Sequence, residues 1–395
     1  MSERKSFWRP IILFAFVVLC VFPVKAQETA TGWVSSASYT FRDSVEFELV
    51  GETAVNIEQI SLIIDSPSLN NPISVLAELR KNEDNLVFAS GAVSPLALEL
   101  LPFTTVIYWW EIEFEDEIVV IPAQSFVYED DRLVWQTLDA EPWHIHWTGN
   151  EADFGRIGLQ IAQESQGRLG AILTTDEMLP INIYIYPSFA DLRAAFRLNG
   201  LREWAGDVTD EVPEVVMVTA VNPRTAASDL QQSIPYALTK FWLYQQAGAN
   251  FEAIPFWLRE GLAEGMVPVA VEDVGLETAV NNQSTIPFSQ LCDTFPTTGS
   301  DVNLATAQSV DFVQFLQTQF GDRSIQLLVD AYADGATCDE GVELVVDKSL
   351  DTLNQDWLKT VRSYPLVVQF VIDNSMWFLL ILFMGFITGF LVWKL

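Results

Sequence analysis

The hydrophobic periodicity of this chain changes once, at the acidic triplet Glu129-Asp130-Asp131, and that change constrains the fold more than any other feature. Before the triplet, apolar and polar residues alternate with a period of two, which is typical of half-buried strands. The alternating segments are separated by short polar breaks and cover residues 45–50, 57–64, 74–79, 86–90, 106–114, 118–121 and 125–128. Strands at this spacing predict an antiparallel β-sandwich, of immunoglobulin or fibronectin type, over residues 28–128.

Beyond the triplet, strand and helix patterns alternate before helices take over. Predicted strands at 143–147, 181–186 and 215–221 are interleaved with predicted helices at 153–173 and 189–196. Helical periodicity follows at residues 304–320, 324–333, 339–347 and 353–361. We therefore expect an α+β protein whose second domain, residues 129–362, has a mixed α/β first half and a helical second half.

Residues 1–26 have the composition of a secretory signal peptide. They contain three basic residues near the start, Arg4, Lys5 and Arg9. An apolar run follows at 11–22, and Val24-Lys25-Ala26 fits a cleavage site before Gln27. The alternative is an uncleaved anchor, which the short apolar run disfavours because a membrane span needs about 20 residues.

An apolar run at residues 376–392 contains no charged residue and has Trp377 and Trp393 near its two ends. Its length and its flanking aromatic residues predict one transmembrane helix at 375–393. The alternative, a buried core helix, is disfavoured because such a helix is rarely apolar on every side. Together with a cleaved signal peptide, this helix predicts a single-pass cell-membrane protein with Lys394 in the cytoplasm and most of the chain outside.

The charge balance excludes one large class of partner. The chain has 21 Lys and Arg residues against 53 Asp and Glu residues. Nucleic acid binding needs a basic face, so we exclude it, and we attribute the acidity to the solubility of an exported protein. No P-loop, dinucleotide fingerprint or nucleophile-elbow motif is found, and we expect no cofactor.

Two cysteines follow the predicted signal peptide, Cys292 and Cys338. An exported protein with two cysteines most simply pairs them, so we expect one disulfide. Two thiols so far apart in sequence make a cysteine metal site a poor alternative.

The segment 234–266 predicts two helices separated by a turn at Gly248-Ala249-Asn250. Its second half, from Pro255 to Glu264, reads PFWLREGLAE and resembles the glutamate helix of gluzincin-type zinc metallopeptidases. Residues 129–362 as a whole resemble the peptidase MA-like group of that family. Further matching segments are Val127-Tyr128-Glu129-Asp130, residues 183–188, Arg202-Glu203-Trp204-Ala205-Gly206 and the helical region around Trp357.

The resemblance implies a zincin-like fold in which an H-E-x-x-H helix precedes the glutamate helix. Its two histidines hold zinc from one helix face, and its glutamate polarises the zinc-bound water. Here the corresponding segment reads Tyr236-Ala237-Leu238-Thr239-Lys240, so both histidines and the base are replaced. The one ligand position that carries over is Glu260, 24 residues after Tyr236.

Glu260 has two interpretations, a remnant zinc ligand or a buried acid that needs a partner, and we favour the second because one carboxylate makes a poor zinc site. We predict that the ammonium of Lys240 pairs with Glu260 and that the Tyr236 hydroxyl lies near the same carboxylate. Glu264, one turn further along, is interpreted as a solvated acid, with a supporting role beside the site as the alternative.

The two histidines of the chain, His144 and His146, project from the same face of one predicted strand. Such a pair can bind a metal, but no third ligand lies nearby in sequence, and hydrogen-bonded strand histidines are the commoner case.

These features predict a non-catalytic pseudopeptidase whose remnant cleft, with Tyr236, Lys240 and Glu260, binds a peptide or protein at the cell surface. One alternative is an active metallohydrolase with atypical ligands, for example His144, His146 and Glu260. A second alternative is a structural envelope protein in which the sandwich carries the function.

Overall fold

The computed structural model describes residues 32–149, 153–174, 180–196, 215–268, 275–296, 299–362 and 374–394, apart from 68, 70, 83 and 84, together with 368 and 370–371. The predicted signal peptide at 1–26 and the motif at 202–206 lie outside the described residues. The described chain is mixed α+β, with β-sheets towards the N-terminus and helices towards the C-terminus, as the sequence predicts.

Eight strands form two four-stranded antiparallel sheets that enclose a shared apolar core. In chain order they are β1 (Val34–Thr40), β2 (Ser44–Glu52), β3 (Ile57–Asp65), β4 (Ile73–Leu76), β5 (Glu78–Lys81), β6 (Leu86–Val93), β7 (Thr104–Phe114) and β8 (Ile118–Tyr128). The first sheet has the order β1-β2-β6-β5 and the second β4-β3-β7-β8. Trp110 of β7 is fully buried between them, and its indole donates a hydrogen bond to Ser35 Oγ of β1 at 2.9 Å.

Three of the predicted strand segments differ from the structure. Residues 74–79 form two strands in different sheets, because the chain passes from β4 to β5 at Ala77. Residues 118–121 and 125–128 form the single strand β8, whose register against β7 shifts between Tyr108 and Trp110. Pro122 lies at this irregularity, where the missing N–H of a proline is tolerated.

A third sheet follows, with the order β12-β11-β10-β9. Its strands are β9 (Trp135–Ala140), β10 (Trp143–Thr148), β11 (Ile181–Tyr186) and β12 (Val215–Thr219). The last three are parallel, and β9 pairs antiparallel with β10 at one edge. Neither β9 nor β1 was predicted, since each has polar residues at positions where a buried face would need apolar ones.

Both faces of the third sheet are covered. Ile145, Ile183 and Val216 belong to the apolar core shared with the helices. The alternate residues Tyr184, Tyr186 and Met217 belong to the core of the sandwich. Phe103 of the sandwich stacks on Tyr184, so the sandwich serves as the second cover of the parallel sheet.

The helices are α1 (Asp153–Leu169), α2 (Phe189–Phe196), α3 (Ala226–Ala247), α4 (Phe256–Gly265), α5 (Leu276–Asn281), α6 (Gly299–Phe320), α7 (Asp322–Ala333), α8 (Cys338–Val346), α9 (Leu350–Val361) and α10 (Ser375–Lys394). A 3₁₀ turn at Gly248–Ala253 joins α3 to α4, in the place where the sequence predicts a turn. Helix α3 packs on α1 and β12, and α4 packs between α3 and α6. This packing sets α3 and α4 against each other and so defines the candidate site.

The predicted membrane span coincides with α10, a helix of 20 residues. In the part of the chain that the structure describes, however, no helix is sufficiently long and apolar to cross a membrane. The predicted transmembrane helix at 375–393 therefore has no support from the fold.

Candidate functional site

Helix α3 presents Tyr236 and Lys240 on one face because the two residues are four positions apart. Its opposite side is fixed in the core by Ile234, Leu238 and Phe241, all buried. Ala237, the residue after Tyr236, is also fully buried. The methyl group of Ala237 therefore packs in the protein interior and supplies no polar atom.

Helix α4 fixes Glu260 opposite them. Trp257 and Leu258 are fully buried and anchor its first turn after Pro255. Gly261 lies so close to α6 that an added Cβ would be 2.4 Å from the carbonyl oxygen of Ser309. The close contact through Gly261 holds α4 against α6 and leaves the neighbouring Glu260 directed towards α3.

The three side chains meet as the sequence predicts. Lys240 Nζ lies 2.8 Å from Glu260 Oε1, and the Tyr236 hydroxyl donates a hydrogen bond to Glu260 Oε2 at 2.6 Å. The same ammonium lies 4.8 Å from the centre of the Tyr236 ring, within cation–π range. Each carboxylate oxygen of Glu260 thus has a partner, and the predicted contacts are confirmed.

Burial makes these contacts energetically important. The side chain of Lys240 is only 6% exposed and that of Glu260 only 14% exposed. Desolvation of two opposite charges roughly cancels their attraction, but removal of one of them leaves the other uncompensated in the interior. The charges of Lys240 and Glu260 are therefore interdependent, because each is stable in the interior only while the other is present.

Glu264 lies one turn beyond Glu260 on α4 and is partly buried, whereas the sequence favoured a solvated acid. Burial raises the pKa of its carboxyl group, and the negative charge of Glu260 raises it further, while Lys240 acts in the opposite direction. Glu264 is buried by tertiary packing, because α3 and α6 both pack against α4. Glu264 is four residues after Glu260 and so lies on the same face of α4.

The two histidines are hydrogen-bonded strand residues. His144 Nδ1 lies 2.7 Å from Asp139 Oδ1. His146 contacts Thr137 Oγ1 at 2.9 Å and Asn182 Oδ1 at 3.1 Å, and its ring stacks on Tyr184. Burial lowers the pKa of His146, which favours its neutral form. Among the described residues, no three or more His, Cys, Asp or Glu side chains are grouped to hold a metal ion.

The predicted disulfide is confirmed. Cys292 and Cys338 are bonded, with Cα atoms 5.9 Å apart. The bond ties the segment after α5 to the first residue of α8. Phe256 N and Trp257 N donate hydrogen bonds to the carbonyls of Cys292 and Leu291, so the bridged segment also supports the start of α4.

Sequence reasoning missed two buried charges, one on α4 and one where the sandwich meets the third sheet. Arg259 is 4% exposed, with its guanidinium carbon 4.2 Å and 4.7 Å from the ring centres of Phe256 and Phe251. Asp130, interpreted from sequence as part of a domain boundary, is fully buried and bonded to Arg132 and Tyr186. The aromatic residues around Arg259 were a usable signal, whereas nothing local indicated the burial of Asp130.

Comparison with known proteins establishes the family. A family model of the peptidase MA superfamily matches residues 161–363, about half of the chain. The chain belongs to the peptidase MA superfamily. The match includes α3 and α4, and so it includes Tyr236, Lys240 and Glu260.

Other comparisons add little. No curated protein matches the chain. A laminaripentaose-producing β-1,3-glucanase of glycoside hydrolase family 64 from Paenibacillus barengoltzii is 8% identical, with a TM-score of 0.18, and the match covers 30% of this chain and 28% of the enzyme. A bromine derivative of BhCBM56 is also 8% identical, with a TM-score of 0.16, over 23% of this chain and 99% of that one. TM-scores this low mean that neither solved structure supports an inference about the fold or the function of this chain.

Proposed function

We propose that this superfamily member is a pseudopeptidase, a non-catalytic protein that retains a peptidase fold for binding. The observation that carries the proposal is the ion pair between Lys240 and Glu260, 2.8 Å apart at the centre of the α3–α4 pair. A fixed ammonium beside the carboxylate supplies the positive charge that a metal ion would otherwise supply there.

The residues present do not fit zinc. Zinc in proteins is held by neutral imidazoles, thiolates and carboxylates in a tetrahedral arrangement. Here the face of α3 opposite Glu260 offers a phenol whose proton is donated to the carboxylate, and an ammonium that has no lone pair while it is charged. A dication at this point would have to displace or deprotonate Lys240, which opposes its binding.

A peptide or a protein segment is the partner that we propose for the cleft between α3 and α4. Support comes from the family, whose fold is built around peptide substrates in the active members that the sequence resembles. Tyr236, Lys240 and Glu260 would then shape the floor of the cleft, and a bound chain would dissociate intact.

We also propose that the protein is anchored in the cell membrane with its folded part outside the cell. The support is in the sequence, namely the signal-like residues 1–26 and the uncharged run at 376–392. A disulfide between Cys292 and Cys338 is consistent with an oxidising compartment.

The proposal is tested on the purified full-length protein with a metal assay and a peptidase assay. Mass spectrometry of the metal content should find far less than one zinc per chain, and a mixed peptide library should remain uncut with and without a chelator. An active superfamily member serves as the positive control. One zinc per chain together with chelator-sensitive cleavage would establish an enzyme with atypical ligands.

A further inference from the structure

We propose that the Cys292–Cys338 disulfide is a redox switch for helix α4 and, through α4, for the pairing of Glu260 with Lys240. The bond joins the first residue of α8 to the end of residues 286–292, here named the capping segment. Reduction loosens the end of that segment, and with it the first turn of α4. The proposal depends on how α4 is held, so it stands whether or not the protein is a pseudopeptidase.

Helix α4 is not capped by a side chain of its own. Its N-cap residue is Pro255, and no side-chain hydrogen bond caps the helix there. Phe256 N instead donates to the carbonyl oxygen of Cys292 at 3.2 Å, and Trp257 N donates to that of Leu291 at 3.1 Å. The first amides of a helix have no partner within it, and a buried donor without an acceptor is costly. The position of the capping segment therefore decides how firmly α4 begins.

The capping segment is held differently at its two ends. Gln308 of α6 fixes the beginning, because its side-chain amide bonds both the N–H and the carbonyl oxygen of Ile286 at 2.9 Å. Phe288 follows in the core and is 1% exposed. At the far end, the buried side chain of Leu291 and the covalent bond of Cys292 hold the two capping carbonyls. Loss of the bond should therefore loosen the end that caps α4, the carbonyl of Cys292 most of all, and leave the beginning in place.

The disulfide is open to a reductant, since Cys292 and Cys338 are each partly exposed. A dithiol of the thioredoxin class supplies the two electrons and two protons that reduction needs. One of its thiolates attacks a sulfur of the pair, forms a mixed disulfide and expels the other cysteine as a thiolate. The second thiol of the dithiol then closes its own disulfide and releases the first cysteine. The products are two protein thiols and the oxidised dithiol.

The first turn of α4 leads directly to Glu260, which is four residues after Phe256. Lys240 Nζ lies 2.8 Å from the Glu260 carboxylate, and both side chains depend on the distance between α3 and α4. The contact of Gly261 with α6 also holds α4 and does not involve the disulfide. Reduction should therefore weaken the pairing of Glu260 with Lys240 without unfolding the protein.

The test measures amide hydrogen exchange of the full-length protein by mass spectrometry, with and without dithiothreitol. Alkylation of the freed thiols confirms that the bond is reduced. Residues 256–260 should exchange about three- to tenfold faster after reduction, as expected when one hydrogen bond is weakened. Residues 285–288 are the internal control and should change by less than about twofold, because Gln308 still holds Ile286.

The double variant Cys292→Ser with Cys338→Ser is the matched control, because it cannot form the bond. It should exchange as the reduced wild type does and should not respond to dithiothreitol. If the variant does not fold by circular dichroism, reoxidation of the reduced wild type replaces it and should restore slow exchange at 256–260. The proposal is overturned by a bond that dithiothreitol leaves intact in the folded protein, by unchanged exchange at 256–260 on reduction, or by loss of protection throughout the chain.

Discussion

At the scale of single residues, the site consists of one carboxylate with two partners from the same face of a neighbouring helix. Glu260 receives the ammonium of Lys240 on one oxygen and the hydroxyl of Tyr236 on the other. These contacts were predictable because the family pattern fixes the register of both helices. The environment of Glu264 was not, because it depends on which helices enclose α4.

The first prediction concerns the coupling of Lys240 and Glu260. Lys240→Ala should lower the free energy of unfolding by about 3–5 kcal/mol, because it leaves a buried carboxylate without its cation. The double variant Lys240→Ala with Glu260→Gln should be less destabilised than the sum of the two single variants, by about 0.5–3 kcal/mol. Urea denaturation of all four proteins measures the cycle.

The exposed pair Lys359–Asp356 provides a matched control, since the side chain of Lys359 is 72% exposed. Lys359→Ala should cost no more than about 1 kcal/mol. Additive effects at Lys240 and Glu260 would show that the two side chains do not depend on each other.

Glu264 gives the second prediction, which concerns pH. Its pKa is raised in the folded state, so the folded protein binds a proton more tightly than the unfolded chain does. This contribution to stability is complete below the ordinary carboxyl pKa of 4.5 and is lost as pH rises through the folded-state pKa. Glu264→Gln, which cannot ionise, should therefore raise the melting temperature at pH 7 and bring little or no gain at pH 4.

Differential scanning calorimetry across that pH range measures the effect. Glu340→Gln is the comparison, because a hydrogen bond from the backbone of Thr337 lowers the pKa of Glu340, so its contribution has the opposite sign. A gain for Glu264→Gln that is independent of pH would contradict a raised pKa for Glu264 in the folded protein.

At the scale of elements, the site depends on how closely α4 approaches α6. Gly261 makes that approach possible, because any side chain there would meet the backbone of Ser309. The sequence indicated α4 through its resemblance to the glutamate helix and α6 through helical periodicity at 304–320, although α6 begins at Gly299. It missed β9, because its residues alternate weakly and it is held mainly by pairing with β10.

A glycine pair in α4 supplies the third prediction. Gly261→Ala should destabilise the protein by about 1–3 kcal/mol, because the added methyl group overlaps backbone atoms that cannot move independently. Gly265→Ala, in the same helix, meets nothing within 4 Å and should be neutral or slightly stabilising. Thermal unfolding compares the melting temperatures of the two variants. Equal melting temperatures would mean that the close contact at Gly261 does not hold α4 in place.

At the scale of the whole molecule, three sheets and a set of helices share two apolar cores. The third sheet contributes one face to each core, so the sandwich and the helical part are packed through it. The sequence placed Asp130 at the boundary between a β-rich part and a mixed part, but it gave no sign that Asp130 is buried there or that Phe103 stacks on Tyr184. Contacts between distant segments are not encoded in local periodicity, which is why the packing at this junction could not be predicted.

For the whole molecule, we predict that the C-terminal segment anchors the protein in the membrane. A chain ending at Asn374 should be recovered in the soluble fraction, whereas the full-length protein should sediment with membranes and resist carbonate washing. The reason is that the removed segment contains the uncharged apolar run. Recovery of the shortened protein in membranes would assign the anchor to another part of the chain.

Whether an ion pair has replaced a metal ion is tested best by the zinc content of the wild-type protein and of the triple variant Tyr236→His, Ala237→Glu, Lys240→His. Two histidines at these helix positions would complete a zinc site with Glu260 if the peptidase scaffold is retained. Adding Glu260→Gln to the triple variant is the control, and circular dichroism confirms folding of each protein. We expect no stoichiometric zinc in the wild type, about one zinc per chain in the triple variant and strongly weakened binding in the control. One zinc per chain in the wild type, or none in a folded triple variant, would contradict the replacement of a metal ion by the Lys240–Glu260 pair.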